Sequence, residues 1–123
     1  MIDPNFILLY VDNPKASAVF YEKLLGQALV EVSPTFALFA LASGIKLGLW
    51  SRHTVEPAAN APAGAAELAF AVSDQPALTA LYKDWQERGL LIIQPPITMD
   101  FGVTFVAVDP DGHRLRVFVP MEG

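Results

Sequence analysis

The sequence predicts an α+β fold made of two successive βαβββ modules. Three observations carry this. A strand, a helix and three short strands follow one another twice in 123 residues. The same punctuation recurs in both halves, with Asp and Pro before each helix and Gly after it. A stretch rich in Ala and Pro, from Arg52 to Ala66, separates the two copies. Repetition of one supersecondary unit explains all three together.

Phe6 to Val11 is apolar and β-prone, and Asp12-Asn13-Pro14 ends it. Pro14 suits a first helical position, with Asp12 or Asn13 as the N-cap. Ala16 to Leu25 carries Val19, Phe20 and Leu24 at helical spacing, and Gly26 is a natural stop. Strands are expected at 28–32, 36–41 and 45–51, separated by Ser33-Pro34 and Ser43-Gly44. Pro57, Pro62 and Gly64 make the following segment too Pro-rich for a helix, so it reads as a linker over about residues 53–65. Glu67 to Val72 then reads as a strand, and Pro76 starts a helix that runs through Leu78, Leu81, Tyr82 and Trp85 to Gly89. Leu90 to Ile93, Val103 to Val108 and Arg114 to Val119 read as the last three strands. Asp109-Pro110-Asp111-Gly112 is a tight turn that makes a hairpin of the final pair.

Composition narrows the function. Hydrophobic residues form 53% of the chain and charged residues 17%, enough apolar material for a packed core. The net charge of -5 argues against a nucleic-acid partner, which needs a basic patch. There is no cysteine, which excludes disulfides, thiolate metal sites and cysteine nucleophiles. Cysteine absence fits a cytoplasmic location. The N-terminus has no basic region and does not read as a secretory signal. No apolar run approaches the roughly 18 residues that a membrane span needs.

Tyr10-Val11-Asp12-Asn13-Pro14 followed by Phe20-Tyr21-Glu22-Lys23-Leu24-Leu25-Gly26 resembles the opening of a vicinal-oxygen-chelate module, the glyoxalase and bleomycin-resistance superfamily. Asp109-Pro110-Asp111-Gly112-His113-Arg114 resembles that family's late hairpin. With the duplicated order of elements, the resemblance covers nearly the whole chain. It implies one domain, in which each module is a curved mixed sheet forming half of a barrel around a ligand groove. It also implies a homodimer.

Metal-dependent members of that family place His, Gln or Glu on the first and last strands of each module. The matching positions here are Asn5, Gly48, Glu67 and Arg116. Glycine has no side chain, and a guanidinium stays protonated and repels a cation. Only Glu67 is a credible ligand, so neither a metal nor another cofactor is expected. Strand parity turns His113 away from the face that carries Arg114, Arg116 and Phe118, and His53 lies beyond the parity of Gly48 and Trp50.

The same parity sets Lys46, Gly48 and Trp50 on the groove side, with Trp50 as an indole wall beside a gap at Gly48. Glu67 and Arg116 are expected to meet, either as a structural ion pair or to hold a ligand carboxylate or hydroxyl. Ser33-Pro34-Thr35-Phe36 and Thr98-Met99-Asp100-Phe101-Gly102 are expected turns, and Ser33, Phe36, Met99 and Phe101 are candidates to border the ligand. The run from Gly48 to Pro57, with both turns, resembles the phenazine-type antibiotic-resistance branch, whose members bind a drug without altering it. The resemblance therefore implies a small aromatic ligand of phenazine or bleomycin type. A metal-dependent lyase or ring-cleaving dioxygenase, a metal-free enzyme with Glu67 as general base, and a ligand-free structural dimer are the competing readings.

Overall fold

The computed structural model describes residues 1–121, in two compact units, Met1–Ala61 and a second that begins at Pro62. Each unit has one helix and a four-stranded mixed sheet, as the repeat predicts.

In the first unit β1 (Phe6–Val11) leads into α1 (Pro14–Leu25), then β2 (Leu29–Val32), β3 (Phe36–Ala40) and β4 (Lys46–Ser51). The sheet order is β1-β4-β3-β2, open at both edges; β1 runs parallel to β4 and the other pairs are antiparallel. Asn13 is the cap residue of α1, its side chain accepting from Ala16 N–H at 3.2 Å, with Pro14 in the first turn. At the other end Gly26 takes a left-handed φ of 63° and donates its N–H to Glu22 O. Asp12, which does not cap the helix, meets His53 instead, whose Nε2 lies 2.6 Å from its Oδ1.

The buried stripe of α1 is Pro14, Ser17, Ala18 and Tyr21. It is centred on Tyr21, with Phe20 edge-on to it at 5.1 Å and only half-buried. Small Ser17 and Ala18 let the helix approach the sheet closely, which favours the 14-17-18-21 face over the Phe20-Leu24 face that bulk alone suggests. Beneath it Val11, Ala37, Phe39, Leu47 and Leu49 are buried.

The second unit repeats the plan with β5 (Glu67–Ala71), α2 (Gln75–Glu87), β6 (Leu91–Met99), β7 (Gly102–Val108) and β8 (Arg114–Phe118), in the order β5-β8-β7-β6. Asp74 caps α2 by accepting from Ala77 N–H at 2.9 Å. Leu78 and Trp85 are its buried residues. Trp85 sits edge-to-face against Phe70 of β5 at 5.9 Å and Phe105 of β7 at 5.4 Å, and Tyr82 meets Phe105 at 5.2 Å.

One strand differs from expectation. The sequence predicts that β6 stops at Ile93, and it continues through Pro95-Pro96 to Met99. It is the outer strand of its sheet, so only its inner side needs paired N–H groups, and neither proline has a partner on β7. Its register shifts between Ile92 and Gln94 and again between Gln94 and Ile97 absorb the fixed proline backbone. The turn to β7 is therefore only Asp100-Phe101.

The Asp109–Gly112 turn forms as predicted. Gly112 N–H donates to Asp109 O, and Asp109 Oδ1 accepts from the N–H groups of Asp111 and His113, both at 2.9 Å. Asp109 is buried, so its replacement by alanine strands two backbone donors. The expected loss for Asp109→Ala is about 1–3 kcal/mol, read as a lower urea midpoint, and Asp109→Asn should recover most of it. Equal midpoints for wild type and Asp109→Ala would show that the turn holds without the side chain. Among the described residues, no helix is long and apolar enough to cross a membrane.

Candidate functional site

Helix α1 covers one face of the first sheet, and alternation sends every second side chain to the other. Register aligns those outward residues in rows. Phe6, Lys46 and Ala40 form one row, Leu8, Gly48 and Leu38 the next, and Tyr10, Trp50 and Phe36 the third. Lys46 Nζ lies 5.1 Å from the Phe6 ring centroid. Phe6, Leu8 and Tyr10 remain 42–48% exposed, a large apolar area left open on one strand.

In the third row the Trp50 indole stands edge-to-face with Tyr10 at 6.5 Å and 84°, and with Phe36 at 6.3 Å and 87°. Trp50 and Phe36, separate candidates in the sequence, thus lie side by side on this face. Tyr10 is not among the expected residues; its outward parity on β1 is readable, but its place beside Trp50 depends on the parallel β1–β4 register. Gly48 does not leave a gap. A Cβ there would lie 2.7 Å from Leu8 Cδ2 and 2.9 Å from Phe36 Cζ, so these two side chains already fill the space above the glycine. Ser33 serves its own turn, its Oγ accepting from Phe36 N–H at 3.1 Å and Thr35 N–H at 3.3 Å, which sets Phe36 at the start of β3.

The second sheet's outward face is more polar. Register pairs Glu67 with Arg114 and Ala69 with Arg116, so Arg116 reaches Glu67 diagonally. Arg116 Nε donates to Glu67 Oε1 at 2.7 Å and Nη2 to Oε2 at 3.0 Å, a fork-to-fork pair. Nη1 donates to Thr104 Oγ1 at 3.2 Å, and Thr104 in turn donates to Val117 O at 2.8 Å. Thr104 is fully buried beneath the guanidinium, a support that no local motif announced. The guanidinium carbon lies 5.7 Å from the Phe101 ring centroid, and Phe101 meets Phe118 edge-on at 5.9 Å. Met99, the last residue of β6, and Phe101, in the turn, are 41% and 42% exposed.

Hydrogen bonding from Arg116 holds the Glu67 carboxyl below its usual 4.5; desolvation opposes this, and the charges of Arg116 and Arg114 add to the lowering. A carboxylate so stabilised is a weak base, which counts against Glu67 as a general base. Because the folded-state pKa lies below the unfolded one, the pair's contribution is complete above about pH 4.5 and is lost as pH falls through the depressed value. Asp12 is lowered in the same direction by its hydrogen bond to His53. Glu67→Gln is therefore expected to flatten the acid side of a melting-temperature profile taken from pH 7 to pH 3. An unchanged slope would assign that acid sensitivity to other groups.

The four positions that the family resemblance marks for a metal do not fit one. Both Glu67 oxygens are taken by Arg116, whose own charge repels a cation, and Gly48 offers no donor. Asn5 lies just before β1, where its carbonyl accepts from Lys46 N–H. Among the described residues, no three His, Asp or Glu side chains gather where a metal could bind them.

The family model described as glyoxalase/bleomycin resistance protein/dioxygenase superfamily matches residues 4–117, a single match across both units. The phenazine antibiotic resistance protein EhpR of Enterobacter agglomerans is 31% identical over 119 residues, which cover 94% of this chain and 91% of that protein. The solution NMR structure of protein ATC0852 from Agrobacterium tumefaciens is 52% identical and superposes with a TM-score of 0.92, covering 99% of this chain and all of that one (100%). A glyoxalase-related enzyme from Fulvimarina pelagi, 22% identical, shares the fold at a TM-score of 0.84 over 97% of this chain and 88% of its own. With two βαβββ units in the expected order and these relatives, the chain belongs to the glyoxalase/bleomycin resistance protein/dioxygenase superfamily.

Proposed function

We propose that this protein is a metal-free binding protein that sequesters a planar aromatic antibiotic of phenazine type, acting as a cytoplasmic homodimer. The observation that carries the reading is the row of Tyr10, Trp50 and Phe36 on an open sheet face, in a chain related to a phenazine antibiotic resistance protein. A flat ring system stacks on a flat ring at little entropic cost when that ring is already held in place. Two perpendicular neighbours hold the indole in this way. On the first unit's open face the proposed ligand residues are Trp50 and Phe36, supported by Gly48 and Ser33; on the second unit's own open face the candidates are Glu67, Met99, Phe101 and Arg116. Gly48 and Ser33 contribute by fixing Leu8 and Phe36 rather than by direct chemistry. The bonds of such a ligand are left intact, because the face offers stacking and hydrogen bonding without an activated nucleophile or base.

The test has two parts. Titration with phenazine compounds should quench tryptophan emission to a stoichiometric end point, with the ligand recovered chemically unchanged. Native mass spectrometry after incubation with nickel, zinc, iron(II) and manganese salts should give a dimer mass without metal. A tightly held stoichiometric metal, or consumption of the ligand, would replace the sequestration reading with an enzymatic one.

A further inference from the structure

We propose that Glu67 is a charge filter on the second unit's open face, favouring a planar ligand with a neutral hydrogen-bond acceptor over one with a carboxylate. The inference rests on the binding function proposed above and specifies the ligand class within it. A guanidinium has five N–H donors. Three of those on Arg116 are committed, two to Glu67 and one to Thr104. The remaining two, one on each terminal nitrogen, are what a ligand can reach. The Arg116 side chain is 18% exposed and that of Glu67 30%, so the pair is accessible yet partly withdrawn from water.

Charge decides which acceptor those donors take. Arg116 is already neutralised by a carboxylate that grips it with both oxygens. A ligand carboxylate placed on the remaining donors would sit within a few ångströms of Glu67, and like charges at that range repel strongly where water is partly excluded. A carboxamide oxygen, a quinoid carbonyl or a ring nitrogen accepts the same hydrogen bonds with no such penalty. The chain's net charge of -5 acts in the same direction at longer range. Arg114 is the other cation on this face. It faces Glu67 in register and its charge reaches that carboxylate. But it is exposed, forms no ion pair among the described residues and lies two residues nearer the Asp109–Gly112 turn, so toward a ligand held at Arg116 it acts through solvent and at longer range than Glu67 does. Phe101 beside the guanidinium supplies a flat, half-open apolar surface for a ring carrying the acceptor.

The experiment is calorimetric titration at pH 7 with phenazine-1-carboxamide and phenazine-1-carboxylate, on wild type, Glu67→Gln and Arg114→Gln. Wild type is expected to bind the carboxamide at least tenfold more tightly. Glu67→Gln should narrow or reverse that preference by gaining affinity for the carboxylate, with the carboxamide little changed. Wild-type preference for the carboxylate, lost in Arg114→Gln, would overturn the filter and leave the binding function standing with Arg114 as its anion contact. The wild-type comparison needs no variant, so poor folding of Glu67→Gln would not rescue the idea. Failure of both compounds to bind wild type would remove the binding function and the filter together.

Discussion

Gly102→Ala is expected to be the most destabilising single-methyl change in the second unit, at about 3–5 kcal/mol. Two independent causes converge there. Gly102 begins β7 with a φ of 136°, a backbone region that a residue with a Cβ rarely adopts. A Cβ at this position would also be driven onto the carbonyl oxygen of Val119, a backbone atom that cannot rotate aside. Val119 is held in place because its N–H donates to Val103 O, and Met121 N–H donates to Phe101 O. Relief of the clash would therefore peel the segment after β8 from β7 and shift the turn that carries Phe101. Gly44→Ala separates the two causes. Gly44 has a φ of 94°, and a Cβ added there would meet nothing within 4 Å, so only backbone strain applies, at about 1 kcal/mol. Urea unfolding of the two variants reads the difference directly. A loss for Gly102→Ala no larger than for Gly44→Ala would show that the Val119 segment yields freely.

The order of elements was legible because each rests on local chemistry. Asn13 and Asp74 cap their helices, Gly26 ends one, and Asp109-Pro110-Asp111-Gly112 folds on itself whatever surrounds it. The extent of β6 was not legible, because Pro95-Pro96 reads as a break unless the strand is known to be an edge, and that is a property of the whole sheet. The candidate site divides in the same way. Parity along one strand set Trp50 and Arg116 on the open faces. Which neighbours they meet depends on register between strands distant in sequence. Tyr10 reaches Trp50 across a parallel pairing, and Thr104 lies beneath Arg116 from an adjacent strand. Gly48 is the clearest case. An absent side chain reads as space, but close packing lets Leu8 and Phe36 take that space.

Trp50→Ala is expected to weaken phenazine binding by about 30-fold or more, the loss of about 2 kcal/mol typical of an aromatic anchor. The indole is half-buried, and it makes no hydrogen bond to a described residue. Tyr10 and Phe36 fix its plane from either side, and removal of the indole takes away the surface on which the ligand lies together with the contact that orders both neighbours. Trp50→Phe keeps a smaller flat ring in the same row and should lose less, about tenfold or under. Trp85 makes the experiment interpretable. It is buried between Phe70 and Phe105 in the second unit, and it remains as a reporter of folding after Trp50 is gone. Quenching on titration should therefore vanish in Trp50→Ala while the Trp85 emission stays that of a buried indole. Full affinity in a folded Trp50→Ala would take stacking on this row out of the mechanism. The ligand would then have to be held by the polar face of the second sheet, where Arg116, Glu67 and Phe101 lie.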